Sequence, residues 1–484
     1  MQREANFDLP SGWTWANLEE CVDILDGKRI PINATERELR NANKSSSELY
    51  PYFGATGQVG WIDNYLFDEE LLLLGEDGAP FLEPFKDKAY LVKGKSWVNN
   101  HAHVLRALKS LMSNSFLCFY LNTFNYHGFV SGTTRYKLNQ APMRKIPIPL
   151  PPFAEQSRIV AKVEELFSFL DAGTEELRKV QAQIKRYRQA VLKHAFTGKL
   201  TEKWRLAHKD RIEPAQKLIE KLDGQTLRKK YGNSFEDTAT PNLPHGWANG
   251  RLENLIYIAG RIGWRGLKAD EYTKAGPLFL SVYNLNKGNV VDLLETYHIS
   301  EERYKESHEI QLQNDDILLA KDGAGIGKIG IIQGLKAKAT VNSSLLVIRS
   351  GTVFLPKFLF YFLKGPKMQE LVKSRITGSA TPHLFQRDIR KFDLLIPPAL
   401  EQKEIVSEIE SRLSVADQVE KIAMNSAKQA NNLRQSILKL VFQGELVPQD
   451  PKDEPAEKLL ERIKAERFRN KSKNNQVELP CYVK

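Results

Sequence analysis

Apolar residues after Pro152 fall on a heptad. One row is Ile159, Leu166, Gly173, Val180 and Tyr187; the other is Val163, Leu170, Leu177, Ile184 and Val191. Spacings alternate four and three over about five heptads, the pattern of a coiled-coil seam. Prolines stop just before this stretch, as at a helix start, and Gly198 follows it as a C-terminal cap. The pattern predicts a helix of about 40 residues, roughly 60 Å long. A second stretch repeats the register with smaller residues: Ile405, Ile409, Ala416, Val419, Ala423, Ala430, Leu433 and Ile437, interrupted by Arg412 and Ser426. Large side chains facing small ones let two helices approach closely. The expected pairing sets Val163, Leu170, Leu177 and Ile184 against Ile409, Ala416, Ala423 and Ala430 in an antiparallel, intramolecular coiled coil.

Between the helices the period changes. Short apolar runs bounded by Gly, Asp and Asn predict strands at Tyr52–Gly54, Leu71–Leu74 and Ala89–Val92. A second set lies at Pro277–Val282, Ile317–Ala320, Ile329–Ile332 and Leu345–Ile348. Aromatic-rich helices are expected at Ser113–Asn122 and Pro356–Leu363. The fold class is therefore α+β. Two mixed α/β heads are separated by two long helices, with a pseudo-twofold relation.

That relation is written as an internal repeat. Leu9-Pro10-Ser11-Gly12-Trp13 returns as Leu243-Pro244-His245-Gly246-Trp247. Pro151-Pro152-Phe153-Ala154-Glu155-Gln156 returns as Pro397-Pro398-Ala399-Leu400-Glu401-Gln402. Arg188–Leu200 returns as Arg434–Leu446 with 7 of 13 positions identical, and Glu213-Pro214-Ala215 as Glu454-Pro455-Ala456. The offset holds at 246 from Gly132/Gly378 to Leu200/Leu446, but is 234 before that stretch and 241 after it. The second head is thus 12 residues longer (246 − 234) and the first linker 5 longer (246 − 241). A segment of constant length joins heads that differ. The expected divisions are 1–152 and 236–398 for the heads, 153–235 for the first helix and linker, and 399–484 for the second helix and tail.

Each head closes with a Gly-rich polar loop. In the first it contains Thr133, Thr134, Arg135 and Lys137; in the second Ser379, Thr381 and His383, with Arg387 and Arg390 following. Hydroxyl and basic side chains on a glycine loop suit phosphate and base-edge contact; an ordinary surface turn has the same composition. Arg265, in Arg261-Ile262-Gly263-Trp264-Arg265-Gly266, belongs either to a base-reading loop or to a segment whose Trp264 is core. Charge favours the first kind of reading: 70 Lys+Arg against 59 Asp+Glu leave +11. Such an excess fits a polyanionic partner, although basic proteins without one exist.

Enzymatic patterns are missing or broken. Gly323–Lys328 is glycine-rich, but Lys328 is followed by Ile329 rather than Ser or Thr, so it reads as a hairpin turn and not a phosphate loop. Leu150 and Ile396 stand where an amino-methyltransferase Asn-Pro-Pro-Tyr motif needs asparagine. His101 and His103 have no accompanying Cys or acidic cluster in sequence, so no metal site is expected. Three scattered cysteines exclude a disulfide framework. The first residues carry no apolar signal core, and the longest aliphatic run, Leu71–Leu74, is too short to span a bilayer. A cytoplasmic protein with neither membrane partner nor cofactor is expected.

The duplicated Leu-Pro-x-Gly-Trp opening, the proline lead-in ending in Glu-Gln, and the Arg-Gln-x-x-Leu-Lys-x-x-Phe-x-Gly-x-Leu helix exit resemble the specificity subunit of type I restriction–modification enzymes. The resemblance covers nearly the whole chain, and the order of its pieces is specific. It implies that each head is a target-recognition domain reading one half of a split site in double-stranded DNA. It implies helices that set the spacer and dock two modification subunits, which methylate adenine, and restriction subunits, which translocate and cleave. The chain itself would carry no catalytic residue. The competing expectations are a stand-alone duplicated methyltransferase or nuclease, and a scaffold that binds proteins only.

Overall fold

The computed structural model describes residues 9–223, 243–261, 267–376 and 382–477, the side chains at 222, 223, 254, 269 and 470–477 aside. By compactness the chain forms two units, residues 1–178 with 424–484, and residues 179–423. Each unit holds one head and part of each long helix.

The heads share one topology. In the first, an antiparallel sheet runs in the order Val22–Ile24, Ala102–Ala107, Leu71–Gly75, Ala89–Val92. In the second, the equivalent order is Tyr257–Gly260, Leu345–Arg349, Ile317–Ala320, Ile329–Ile331. Each head adds a second sheet with one parallel pair, four-stranded in the first head and three-stranded in the second: Tyr50–Gly54 beside Lys95–Val98 and Thr273–Leu280 beside Ala339–Val341. A two-stranded ribbon then joins the start of each head to its end: Thr14–Asn17 with Pro147–Leu150, and Ala248–Arg251 with Asp393–Ile396. Leu71 to Leu74 are fully buried on both faces, which explains a continuous rather than alternating apolar run. The aromatic helices form at Asn114–Thr123 and Pro356–Lys364.

The long helices span Phe153–Phe196 and Ala399–Gln443, 44 and 45 residues. At 1.5 Å per residue each is about 66 Å long. Gly198 and Gly444, both at φ +74°, turn the chain out of the helix. Within the first unit Arg434 pairs with Asp171, and Ile159 and Val163 share a core with Leu438 and Val441. Within the second, Arg188 pairs with Asp417 and Glu420, while Val191 and Leu192 share a core with Ile405 and Ile409. In both units the paired residue numbers run in opposite directions, so the helices are antiparallel. Asp171 and Arg188 are the repeat equivalents of Asp417 and Arg434, so the two ion pairs are one interaction used twice.

The expected seam forms mainly along one row. Val163, Ile184, Ile409, Ala416, Ala423 and Ala430 are buried, and Leu170 and Leu177 half-buried. The companion row is buried at the helix starts, at Ile159 and Ile405, half-buried at Leu166 and Val180, and turns outward at Gly173, which is exposed, at Tyr187, 45% exposed, and at Leu433, 52% exposed. Gly323–Lys328 is the connection between antiparallel strands Ile317–Ala320 and Ile329–Ile331, with Ala320 and Lys328 bonded across it.

The duplicated motifs make duplicated bonds. The indole N–H of Trp13 donates to both carboxylate oxygens of Glu155 at 3.1 Å, and that of Trp247 to Glu401 at 2.7 Å. Gln156 bridges the backbone at Leu111, Ser113 and Pro151, and Gln402 does the same at Val353, Leu355 and Pro397. Each Glu-Gln pair thus bolts the first turn of a long helix to the head before it. The helix exits attach the other way. Phe442 packs edge-on to Phe116, 5.7 Å between centroids, and Phe196 to Phe362 at 5.3 Å. The Ala456 N–H donates to the Gly12 carbonyl, and the Ala215 N–H to the Gly246 carbonyl. Each head is held by the start of one helix and the end of the other.

Candidate nucleic-acid interface

The closing loop of the first head is a tight hairpin. Ser131 and Lys137 exchange backbone bonds of 2.9 and 2.8 Å. Gly132 sits at φ +99°, and a Cβ there would lie 2.4 Å from the Arg135 carbonyl oxygen, so this turn requires glycine. Thr133, Thr134 and Arg135 are exposed at its tip. Arg135 reaches Asp77 at 2.8 Å and Lys137 reaches Glu76 at 3.5 Å. These two acids follow the buried strand Leu71–Gly75, so the sheet itself positions the loop.

A buried cluster behind the loop fixes it further. His103 Nδ1 lies 2.7 Å from Asp26 and its Nε2 2.8 Å from the Leu138 carbonyl. The ring is thus held at both nitrogens, by a carboxylate on one side and a backbone carbonyl on the other. Burial pushes the Asp26 carboxyl up, but His103, the Val104 N–H and Arg29 together hold it below its ordinary value. Asp26, Glu76 and His103 offer metal-ligand atoms within 4.8 Å of one another. The Arg29 guanidinium already fills the cationic role there, 2.8 Å from Glu76 and 3.5 Å from Asp26. The cluster is an ion network that anchors Leu138, and sequence reading missed it because Asp26, Glu76 and His103 come from three separate stretches of the chain.

The second head places His383 where the first has Lys137. His383 bridges to Asp322, as Lys137 bridges to Asp77, and also pairs with it through its ring Nδ1. Lys321 adds a contact to Asp322 at 3.7 Å. Beside these residues lies a recess of about 310 Å³, lined by Lys321, Leu346, His383, Leu384, Phe385, Gln386 and Arg387. Arg387 lies over the Phe385 ring at 4.6 Å, and Arg375, held by Asp388 at 2.8 Å, approaches the same ring at 5.6 Å. The half-buried Arg390 donates to the Ile258 carbonyl. Ser379, Thr381 and Arg265 lie outside the described residues. Arg261, from the same motif as Arg265, is buried and donates to the Val341 carbonyl, so it is a core cation rather than a contact residue.

Lys137 and His383 therefore occupy equivalent places, each bridged to an aspartate, while the residues equivalent to Thr133–Arg135 lie outside the described residues; Arg387 stands in the short helix Gln386–Arg390, where the first head has Ala141 in Gln140–Arg144. Among the described residues no helix is long and apolar enough to cross a membrane.

A family model described as type I restriction modification DNA specificity domain matches residues 10–183 and again residues 244–423. The chain is 32% identical over 362 residues to the type I restriction enzyme EcoBI specificity subunit of Escherichia coli, covering 72% of this chain and 70% of that protein. It is 28% identical over 492 residues to the EcoKI specificity subunit of Escherichia coli strain K12, covering 95% and 96%. A solved chain of the type I R-M system, from a structure of its complex assembly and conformational transition, has the same fold. Its TM-score is 0.61 at 16% identity, over 91% of this chain and all of that one.

Proposed function

The chain belongs to the type I restriction–modification DNA specificity family, and from that premise we propose that it reads an asymmetric, bipartite site in double-stranded DNA for a restriction–modification complex. Residues 1–152 and 236–398 are the two target-recognition domains. Residues 153–235 and 399–484 carry the spacer helices with linker and tail. The chain is a specificity subunit and not itself an enzyme; methylation of adenine and ATP-dependent cleavage belong to the modification and restriction subunits that it docks. We place it in the cytoplasm, where its DNA is.

The observation that carries this reading is the contrast between identical mounting and unlike tips. Trp–Glu and Gln–backbone bonds recur in both copies, and the helices differ by one residue in length. Beside these mountings stand Thr133, Thr134, Arg135 and Lys137 in one head, and His383 with Arg387 of the short helix after it in the other. Two unlike contact surfaces on like mountings suit two different half-sites, and joint engagement raises affinity through effective concentration. Exposed apolar residues on the second helix, Val415, Val419 and Ile422 in one unit and Leu433 and Leu440 in the other, support docking of modification subunits along the rod.

The test is a head exchange. The full chain with residues 1–152 and 236–398 interchanged, assembled with its modification subunits, is expected to methylate the same two half-sites in reversed order across an unchanged spacer. A site that does not reorganise by half, or methyl transfer by the chain alone, overturns the proposal.

A further inference from the structure

We propose that Arg387 reads a guanine in the half-site of the second recognition domain, with Phe385 holding its guanidinium in the reading plane. This rests on the DNA-recognition reading above and names one residue that would do it.

The basic side chains around the recess differ in what already occupies them. Arg375 is taken by Asp388, Arg390 by the Ile258 carbonyl, and Lys321 and His383 by Asp322. Arg387 is exposed and, among the described residues, makes neither an ion pair nor a hydrogen bond; its one contact of note is the face of Phe385 at 4.6 Å. An arginine lying on an aromatic ring has its plane set and part of its rotamer freedom already removed, while its donors stay open. A planar fork of N–H donors matches the O6 and N7 acceptors on the major-groove edge of guanine. A phosphate contact makes no comparable demand on the plane and suits a flexible lysine as well. The recess strengthens the assignment. Besides Leu346 and Leu384 it is lined by Lys321, Gln386 and the partly exposed Phe385, so polar groups and an apolar ring lie beside the guanidinium.

The experiment uses the full chain assembled with its modification subunits, S-adenosylmethionine and a pool of randomised duplexes, with methylated sequences read out. Arg387→Ala is expected to lose the preference for guanine at one position of one half-site, by roughly 5- to 150-fold, the discrimination a bidentate pair supplies. The other half-site and the spacer stay as they were, which also shows that the variant is folded. Arg387→Lys keeps the charge without the fork and is expected to relax the same position; Phe385→Ala relaxes it less. If Arg387→Ala lowers methylation equally on all sequences and reduces the salt dependence of binding, the residue touches phosphate and the assignment fails. An unchanged motif also overturns it. A wild-type complex that marks no bipartite site overturns the recognition reading itself, and the assignment with it.

Discussion

Replacing Arg205 by methionine separates the two copies of the Trp–Glu clamp. Glu401 is 0% exposed and Arg205 9%. The carboxylate accepts from Trp247 at 2.7 Å, from Thr201 at 2.7 Å, and from the Arg205 Nε at 2.9 and 3.2 Å. Arg205 also donates to the Gly198 carbonyl and lies over the Trp247 ring at 5.4 Å. Methionine keeps most of the side-chain volume and removes the only cation among these partners. Two neutral donors then remain for a fully buried charge. Breaking a buried pair from one side costs about 3–5 kcal/mol, because the partner is left uncompensated. That corresponds to roughly two to three and a half orders of magnitude in a local opening equilibrium. Hydrogen exchange of the amides at 401–410, followed by mass spectrometry, reads this opening directly and does not require the whole chain to unfold in one step. Adding Glu401→Gln to Arg205→Met is expected to restore most of the protection, since replacing both charges is far milder than removing one. If the single variant protects this turn as well as wild type, or the double variant is no better than the single, the charge-compensation argument is wrong.

The first copy predicts the opposite sign. Glu155 is equally buried from solvent but accepts only from Trp13, and burial raises its carboxyl pKa despite that bond and the nearby Arg158. A raised folded-state pKa favours the folded state fully below the unfolded value, about 4.3, and that advantage is lost as pH rises through the folded value. Glu155→Gln should therefore stabilise the protein or leave it unchanged at pH 7, with any gain disappearing toward pH 4; thermal melts across this range check it, and a loss at pH 7 contradicts it. His103→Gln should free the first reading loop, because glutamine cannot serve Asp26 and the Leu138 carbonyl together. Amides at 131–138 are expected to exchange about 10-fold faster or more, the value of one hydrogen bond to a charged group. Selectivity at the first half-site should fall while the second is untouched, as methylation of duplexes varied in one half at a time would reveal.

Much of this architecture is legible in the chain because it is periodic or repeated. The heptad gives the long helix within a residue or two of Phe153–Phe196, and the buried strands announce themselves as runs such as Leu71–Leu74. The outward turn of the companion row was not legible: periodicity says that Tyr187 and Leu433 share a stripe, but not how closely two helices approach. The cross-attachment of helix exits was hidden for a different reason. Phe442 meets Phe116 and Ala456 meets Gly12 across more than 300 residues, and no local pattern encodes which head a helix end will find. The buried cluster of Asp26, Arg29, Glu76 and His103 was invisible on the same ground. Arg261 shows the other side of the same difficulty: from a segment that composition left open between contact loop and core, it is buried and bonded to Val341, Thr340 and Ser307.

The internal repeat offers its own control on what recognition requires. Positions that agree between the copies are the ones that fasten: tryptophan to glutamate, glutamine to three backbone groups, arginine across the helix pair, phenylalanine to the aromatic helix. None of these bonds reaches a loop tip. The one tie common to both tips is the backbone bridge from Asp77 or Asp322, which fixes where residue 137 or 383 emerges without fixing what it is. Lysine and histidine stand there in turn. Side chains beyond that bridge can change without disturbing a buried group, since Thr133, Thr134, Arg135 and Arg387 are all exposed. A fold mounted this way separates the free energy of folding from the choice of sequence read. On the proposed reading, new specificity needs changes only at such exposed positions, while the bonds that fasten each head to its helices stay untouched.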